Sequence, residues 1–168
     1  MTTWLVLYVA HHSGLPAVVP VAPVENEPFD MTSAVIKGIS EVMFQANVLT
    51  GALFLIGIML SSWKGAFWAI IGSLVGVMVG VSHDAPAENL SLGLYGYNAA
   101  LAAMALALYR PSVMLPLMAA VVSIPFTEKF PLLGLPTLTA PFVLASWTII
   151  ALDTWDARWY DRPKRAEG

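Results

Sequence analysis

The chain has 168 residues, 58% hydrophobic and 11% charged, with a formal net charge of −3 and a mean hydropathy of +0.72. A soluble domain carries about 25% charged residues, so composition alone assigns this sequence to the membrane proteins. The lack of cysteine excludes disulfides, thiolate metal sites and cysteine nucleophiles, and eight basic residues against eleven acidic ones, with no basic stripe ahead of the C-terminal tail, exclude nucleic acid as a partner.

A charge at the bilayer centre costs at least about 2.5 kcal/mol, so the gaps between charges mark the spans. Residues 1–10 share their character with the last crossing. Met1-Thr2-Thr3-Trp4-Leu5-Val6-Leu7 parallels Leu144-Ala145-Ser146-Trp147-Thr148-Ile149-Ile150, a small pair, then Trp, then an aliphatic run. They read as the remnant of the last helix of a preceding repeat. Residues 11–36 read as a polar extracytoplasmic connector, rich in proline (Pro16, Pro20, Pro23, Pro28) and acid (Glu25, Glu27, Asp30). Residues 40–47 are apolar enough to embed but too short to cross. They are expected to form a re-entrant half-helix, with Ser40 as its N-cap and Asn47 as its stop. Crossings follow at 49–62, 65–82, 90–109, 111–127 and 134–152.

Arg158, Arg162, Lys164 and Arg165 crowd the tail, residues 154–168, which places that tail in the cytoplasm. Counting back, Lys64 and Arg110 also fall inside and the turn holding Asp84 and Glu88 outside, with only Lys129, beside Glu128, dissenting. A short N-terminal helix that exits outside while its twin at Trp147 exits inside is the arrangement of an inverted repeat. The expected fold is therefore an all-α membrane protein of about five transmembrane helices plus a re-entrant half-helix, one half of an inverted-repeat channel.

Four segments carry candidate chemistry. Glu41 is the only carboxylate between Gly38 and Trp63. It either sits at a helix N-terminus at the membrane surface, where the dipole favours an acid, or points from a half-helix start into a pore. Gly72, Gly76 and Gly80, spaced by four, are expected to let two helices pack closely, with no role toward a substrate. In Gly93-Leu94-Tyr95-Gly96-Tyr97-Asn98 the tyrosines fit an interface belt as well as a pore, whereas a buried Asn98 needs partners and is expected to pin neighbouring backbone. The prolines of Leu135-Pro136-Thr137-Leu138-Thr139-Ala140-Pro141-Phe142 free backbone carbonyls, and Thr139 between them is the hydroxyl expected on a pore.

Leu135-Pro136, Thr139 and Pro141-Phe142 match the L-P-x-x-T-x-P-F signature of the urea transporters. Gly38-Ile39-Ser40-Glu41-Val42-Met43-Phe44-Gln45, Leu49-Thr50-Gly51 and Gly93-Leu94-Tyr95-Gly96-Tyr97-Asn98 resemble the family's other blocks in the same order. The resemblance makes residues 37–153 a urea-transporter-like transmembrane repeat. It implies a passive urea channel of the inner membrane, with no cofactor and no catalytic step, whose pore is completed by a missing N-terminal half and whose full subunits form homotrimers in the lipid bilayer. It further implies that Glu41 accepts hydrogen bonds from urea, that Val42, Phe44 and Leu94 line a narrow slot, and that Thr139 faces them. Two alternatives stay open: a channel for another small neutral amide or ammonia, and a non-conducting membrane fragment or assembly partner.

Overall fold

The computed structural model describes residues 29–132 and 138–160. The readings placed on residues 1–28, on Leu135, Pro136 and Thr137, and on the tail beyond Tyr160 lie outside them. The described residues form helices α1 (Met31–Ser40), α2 (Val48–Ser61), α3 (Trp63–Ser82), α4 (Ala87–Ser91), α5 (Leu94–Tyr109), α6 (Met114–Leu132) and α7 (Ala140–Tyr160), with a single 3-10 turn at Glu41–Met43. The crossings expected at 49–62, 65–82 and 111–127 each overlap one helix, α2, α3 and α6, and the described part of the one expected at 134–152 falls in α7. By length and composition α3 and α6 can cross a membrane alone, and the bent pair Met31–Met43 plus Val48–Ser61, which turns through 72°, is apolar enough for either a broken span or a re-entrant loop. At 16 residues, α5 is about 24 Å long and falls short of a full crossing.

The first half-helix lies earlier than the sequence suggested. Asp30, read as part of the connector, is its N-cap: the carboxylate accepts the N–H groups of Thr32 (3.1 Å) and Ser33 (3.0 Å) and the Ser33 hydroxyl (2.6 Å). Acid and hydroxyl spaced this way start a helix as readily as they solvate a loop, so α1 begins at Met31, inside the stretch read as connector. Residues 41–47 form the break. Ser40 closes a helix and does not open one, its hydroxyl donating to the Lys37 carbonyl at 2.9 Å. Asn47 is a start and not a stop: its side-chain oxygen accepts the N–H groups of Leu49 (2.8 Å) and Thr50 (3.2 Å) and so caps α2.

At the centre of the bundle lies α5, buried over most of its length, with Leu108 and Tyr109 exposed at its end. Ala99, Ala102 and Ala103 are fully inaccessible, and Leu90, Tyr95, Ala120 and Ile124 close one flank while Leu106, Ala119 and Ile149 close the other. The Gly72, Gly76 and Gly80 ladder faces it, as expected. A Cβ at Gly72 would lie 2.7 Å from that of Ala103, one at Gly76 would lie 2.7 Å from that of Ala99, and one at Gly80 would lie 2.8 Å from the Tyr95 ring. Small residues admit this contact because lipid offers no hydrophobic drive between helices and leaves backbone proximity to do the work. The crossing expected at 90–109 is divided: α4 ends, Gly93 takes a left-handed conformation (φ +81), and α5 begins. Only glycine fits there, since an added Cβ would fall 2.6 Å from the Lys37 carbonyl carbon. The helix expected at 111–127 runs on through Pro125 and Pro131 to Leu132. The charged pair Glu128 and Lys129 rides on its last turn, where it does not mark a boundary.

Two outcomes test this account. Gly76→Val is expected to lower stability in detergent by about 1–3 kcal/mol through overpacking, whereas Gly57, whose Cβ would meet nothing within 4 Å, tolerates alanine without loss; equal denaturation midpoints for the two variants would contradict the seam. Asp30 has its carboxyl held below the ordinary value by the Ser33 hydroxyl first, then by the Ser33 and Thr32 amides. A depressed carboxyl contributes stability above its unfolded value and loses it as pH falls through the folded one, so the start of α1 frays in acid. Hydrogen exchange at Ser33 should show this pH dependence, and Asp30→Asn should remove it.

Candidate functional site

The break after α1 is built by backbone. Phe44 N–H donates to the Glu41 carbonyl (2.8 Å), Gln45 N–H to the Ser40 carbonyl (3.4 Å), and Asn47 N–H to the Ser40 hydroxyl (3.3 Å). Phe44 itself is left-handed (φ 55, ψ 40), a conformation that bulky residues adopt only where the surroundings enforce it. The outcome is a hairpin-like corner that delivers Glu41 and Phe44 to one face. Glu41 therefore sits at the C-terminal end of α1, where its N–H closes on the Lys37 carbonyl, and not at a half-helix N-terminus as the sequence reading placed it. A carboxylate there opposes the helix dipole by about 0.3–1 kcal/mol. Capping thus cannot account for the acid.

On the opposite side, the polar start of α5 clamps the entry to α7. Asn98, fully buried, donates from Nδ2 to the Leu138 carbonyl at 3.2 Å and accepts the Phe142 N–H on Oδ1 at 3.3 Å. The Tyr97 hydroxyl donates to the same Leu138 carbonyl. This is the pinning of backbone expected of the amide, and it fixes Leu138, itself left-handed (φ 38), against the bundle. The tyrosines prove not to be an interface belt: Tyr95 and Tyr97 are 6% and 5% exposed, because the Gly76 and Gly80 face and the Leu138 loop cover them.

Between corner and clamp lies a cavity of about 630 Å³. Glu41 and Phe44 enter it from the break, Leu94, Tyr95 and Tyr97 from α5, Thr127, Glu128 and Pro131 from α6, and Leu138 from the clamp, with Pro86 and Asn89 at its α4 edge. Of the residues expected from sequence, Glu41, Phe44 and Leu94 thus meet on one wall. Val42, half-buried, and Thr139, exposed, are not among the described residues of that wall, though each adjoins one that is. Among the described residues no side chain donates a hydrogen bond to the carboxylate of the half-buried Glu41, and Phe44 is 66% exposed. Sequence reasoning missed Asn89, Thr127 and Glu128. Thr127 is buried and donates to the Ser123 carbonyl at 3.0 Å, and Glu128 lies 3.1 Å from Nδ1 of His83. The sequence carried no clear signal for them, because Pro125 and Pro131 read as breaks, whereas α6 continues to Leu132 and carries Thr127 and Glu128 into the site. No three His, Asp or Glu side chains among the described residues come together to hold a metal ion.

The arrangement is that of an all-α membrane protein with a solute-sized cavity at a helix break. A family model described as urea transporter matches residues 1–154. Among curated proteins, the urea transporter 1 of Ovis aries is 33% identical over 135 residues, covering 75% of this chain and 35% of that protein. The urea transporter 1 of Rattus norvegicus is 33% identical over 148 residues, covering 83% of this chain and 38% of that one. The chain belongs to the urea transporter family and spans about a third of the length of these relatives.

The clamp yields a direct expectation. Asn98→Leu keeps the branching of the side chain but strips the Leu138 carbonyl and the Phe142 N–H of a partner and adds bulk at a fully buried site, and is expected to destabilise the folded bundle by about 1–3 kcal/mol or more. Amide exchange at Phe142 should accelerate with it; an unchanged rate would remove Asn98 from this role.

Proposed function

We propose that this chain forms one wall of a passive urea channel in the inner membrane, facing a second, inverted half. The observation that carries the reading is the convergence of Glu41, Phe44 and Leu94, drawn from two separate segments, on one cavity. Urea is planar and neutral, with N–H donors along its edge and faces that accept apolar contact. The Glu41 carboxylate, which has no donor among the described residues, takes the N–H edge, and Phe44 and Leu94 bound the plane. Val42 beside Glu41 and Thr139 beside Leu138 extend the slot along the direction of flow. Selectivity follows from slot width and aligned acceptors, and movement is downhill.

The unfavourable position of Glu41 at a helix C-terminus supports this role, since a charge kept where the dipole opposes it has a use elsewhere. The open face of Phe44 supports a wall opposite. The relatives named urea transporter 1, of which the chain matches 35% in Ovis aries, have the length to supply one. The basic tail with Arg158, Arg162, Lys164 and Arg165 supports a cytoplasmic C-terminus.

Flux of urea into liposomes holding this chain with a homologous first half tests the assignment. Glu41→Ala is expected to lower flux about tenfold, the equivalent of one charge-assisted hydrogen bond, and Thr139→Val several-fold. Flux unchanged by both would overturn the proposed slot. Excess thiourea should compete, whereas a pore for ammonia would ignore it.

A further inference from the structure

A second and larger hollow, of about 910 Å³, opens at the other end of α5, between α2, α3 and the α5–α6 junction. It takes no part in the Glu41 site, with which it shares no residue. Its length is apolar, walled by Phe54, Ile58, Trp68, Met104 and Leu108, and its floor is open at Gly57, where a Cβ would meet nothing within 4 Å. One end is polar. Ser61, Ser62, Ser112 and Lys64 gather there, and Lys64 is the one ionisable residue among those lining the hollow.

The charge balance at this end decides what fits. Helix dipoles cancel, because the C-termini of α2 and α5 lie beside the N-termini of α3 and α6 in the chain. The neighbouring Arg110 is neutralised by Asp153, with Nη1 2.7 Å and 2.9 Å from its two carboxylate oxygens. Lys64 has no carboxylate partner among the described residues; its ammonium lies 6.0 Å from the centre of the Trp63 ring, which is itself 68% exposed. An exposed Trp next to a Lys at a helix start marks the level of the lipid headgroups.

We propose that this hollow is a binding site for an anionic phospholipid. The phosphodiester sits at Lys64 among the Ser61, Ser62 and Ser112 hydroxyls, and one acyl chain runs down the apolar channel past Gly57 toward Met104. A single cation at the interface end of a long apolar cleft has the same division of charge as the lipid itself, and basic recesses between membrane helices hold anionic headgroups by this chemistry. The Ser62 and Ser112 hydroxyls accept the Gly65 and Leu115 N–H groups and keep their own O–H for a phosphate oxygen, whereas a protein helix in the same place would need an acid at one end to meet Lys64.

The test uses the full chain purified in mild detergent and offered equal amounts of dioleoyl phosphatidylglycerol and dioleoyl phosphatidylcholine, with bound lipid read by native mass spectrometry. Phosphatidylglycerol adducts are expected to exceed phosphatidylcholine adducts about fivefold, the weight of one cation near an anionic headgroup. Lys64→Gln should bring the two to parity. Gly57→Phe should fill the channel and reduce both, with circular dichroism confirming unchanged helix content; should that variant not fold, the Lys64→Gln comparison decides alone. Equal retention of the two lipids by the unaltered chain, or a preference that survives Lys64→Gln, overturns the proposal. So does efficient disulfide dimerisation of Gly57→Cys in native membranes, which in this cysteine-free chain would make a second copy the occupant.

Discussion

The close approach of α1 to α5 and α3 is the constraint on which the site depends. A Cβ at Gly38 would stand 2.9 Å from the Gly96 Cα, and the buried Ser73 hydroxyl bonds the Val35 carbonyl at 2.7 Å across the same crossing. Glycine on both helices lets two backbones meet where side chains would hold them apart, and a serine hydroxyl then satisfies a carbonyl that lipid could not. Because the half-helix is seated on the start of α5 in this way, its end delivers Glu41 to the cavity that Leu94, Tyr95 and Tyr97 line. The sequence blocks around Gly38 and Gly93 are thus two sides of one contact.

On that seat the cavity is assembled from interruptions. Each of its principal walls comes from a place where a helix stops: the corner at Phe44, the left-handed Gly93 ahead of α5, the last turn of α6, and Leu138 ahead of α7. Helix ends carry unpaired carbonyls and amides, which must be satisfied by side chains or by something that passes. Asn47, Asn98 and Tyr97 satisfy those that are structural. The Glu41 carboxylate is left lining the cavity, which is the basis of the solute-binding role proposed for it.

Polar side-chain pairs at the surface add little to this framework. His83 with Glu128 and Arg110 with Asp153 tie loop to helix at the two ends of the bundle, and both contain an exposed member. Such pairs contribute about 0–1 kcal/mol each. Their effect is positional: Glu128 is held at the cavity edge, and Arg110 is withdrawn from the hollow that Lys64 overlooks.

The all-helical membrane class, the positions of the later helices, the glycine seam and the need of Asn98 for backbone partners were legible in the sequence, because each rests on composition or on spacing along one helix. The break was misplaced for a related reason. Asp30 and Asn47 carry capping chemistry that serves a helix start, yet beside Pro28 and within an apolar run they read as connector and stop, and Ser40 was given the cap that Asp30 holds. Whether a short polar side chain closes the helix behind it or opens the one ahead depends on which backbone amides come within reach. That is decided only when Gly38 seats on Gly96. The burial of Tyr95 and Tyr97, and the arrival of Thr127 and Glu128 from a helix that runs through Pro125 and Pro131, likewise depend on packing between segments far apart in the chain. The sequence by itself determined which residues could line a path for a polar solute; tertiary structure decided which of them share a wall, because close backbone contact, unlike helical period, belongs to two segments at once.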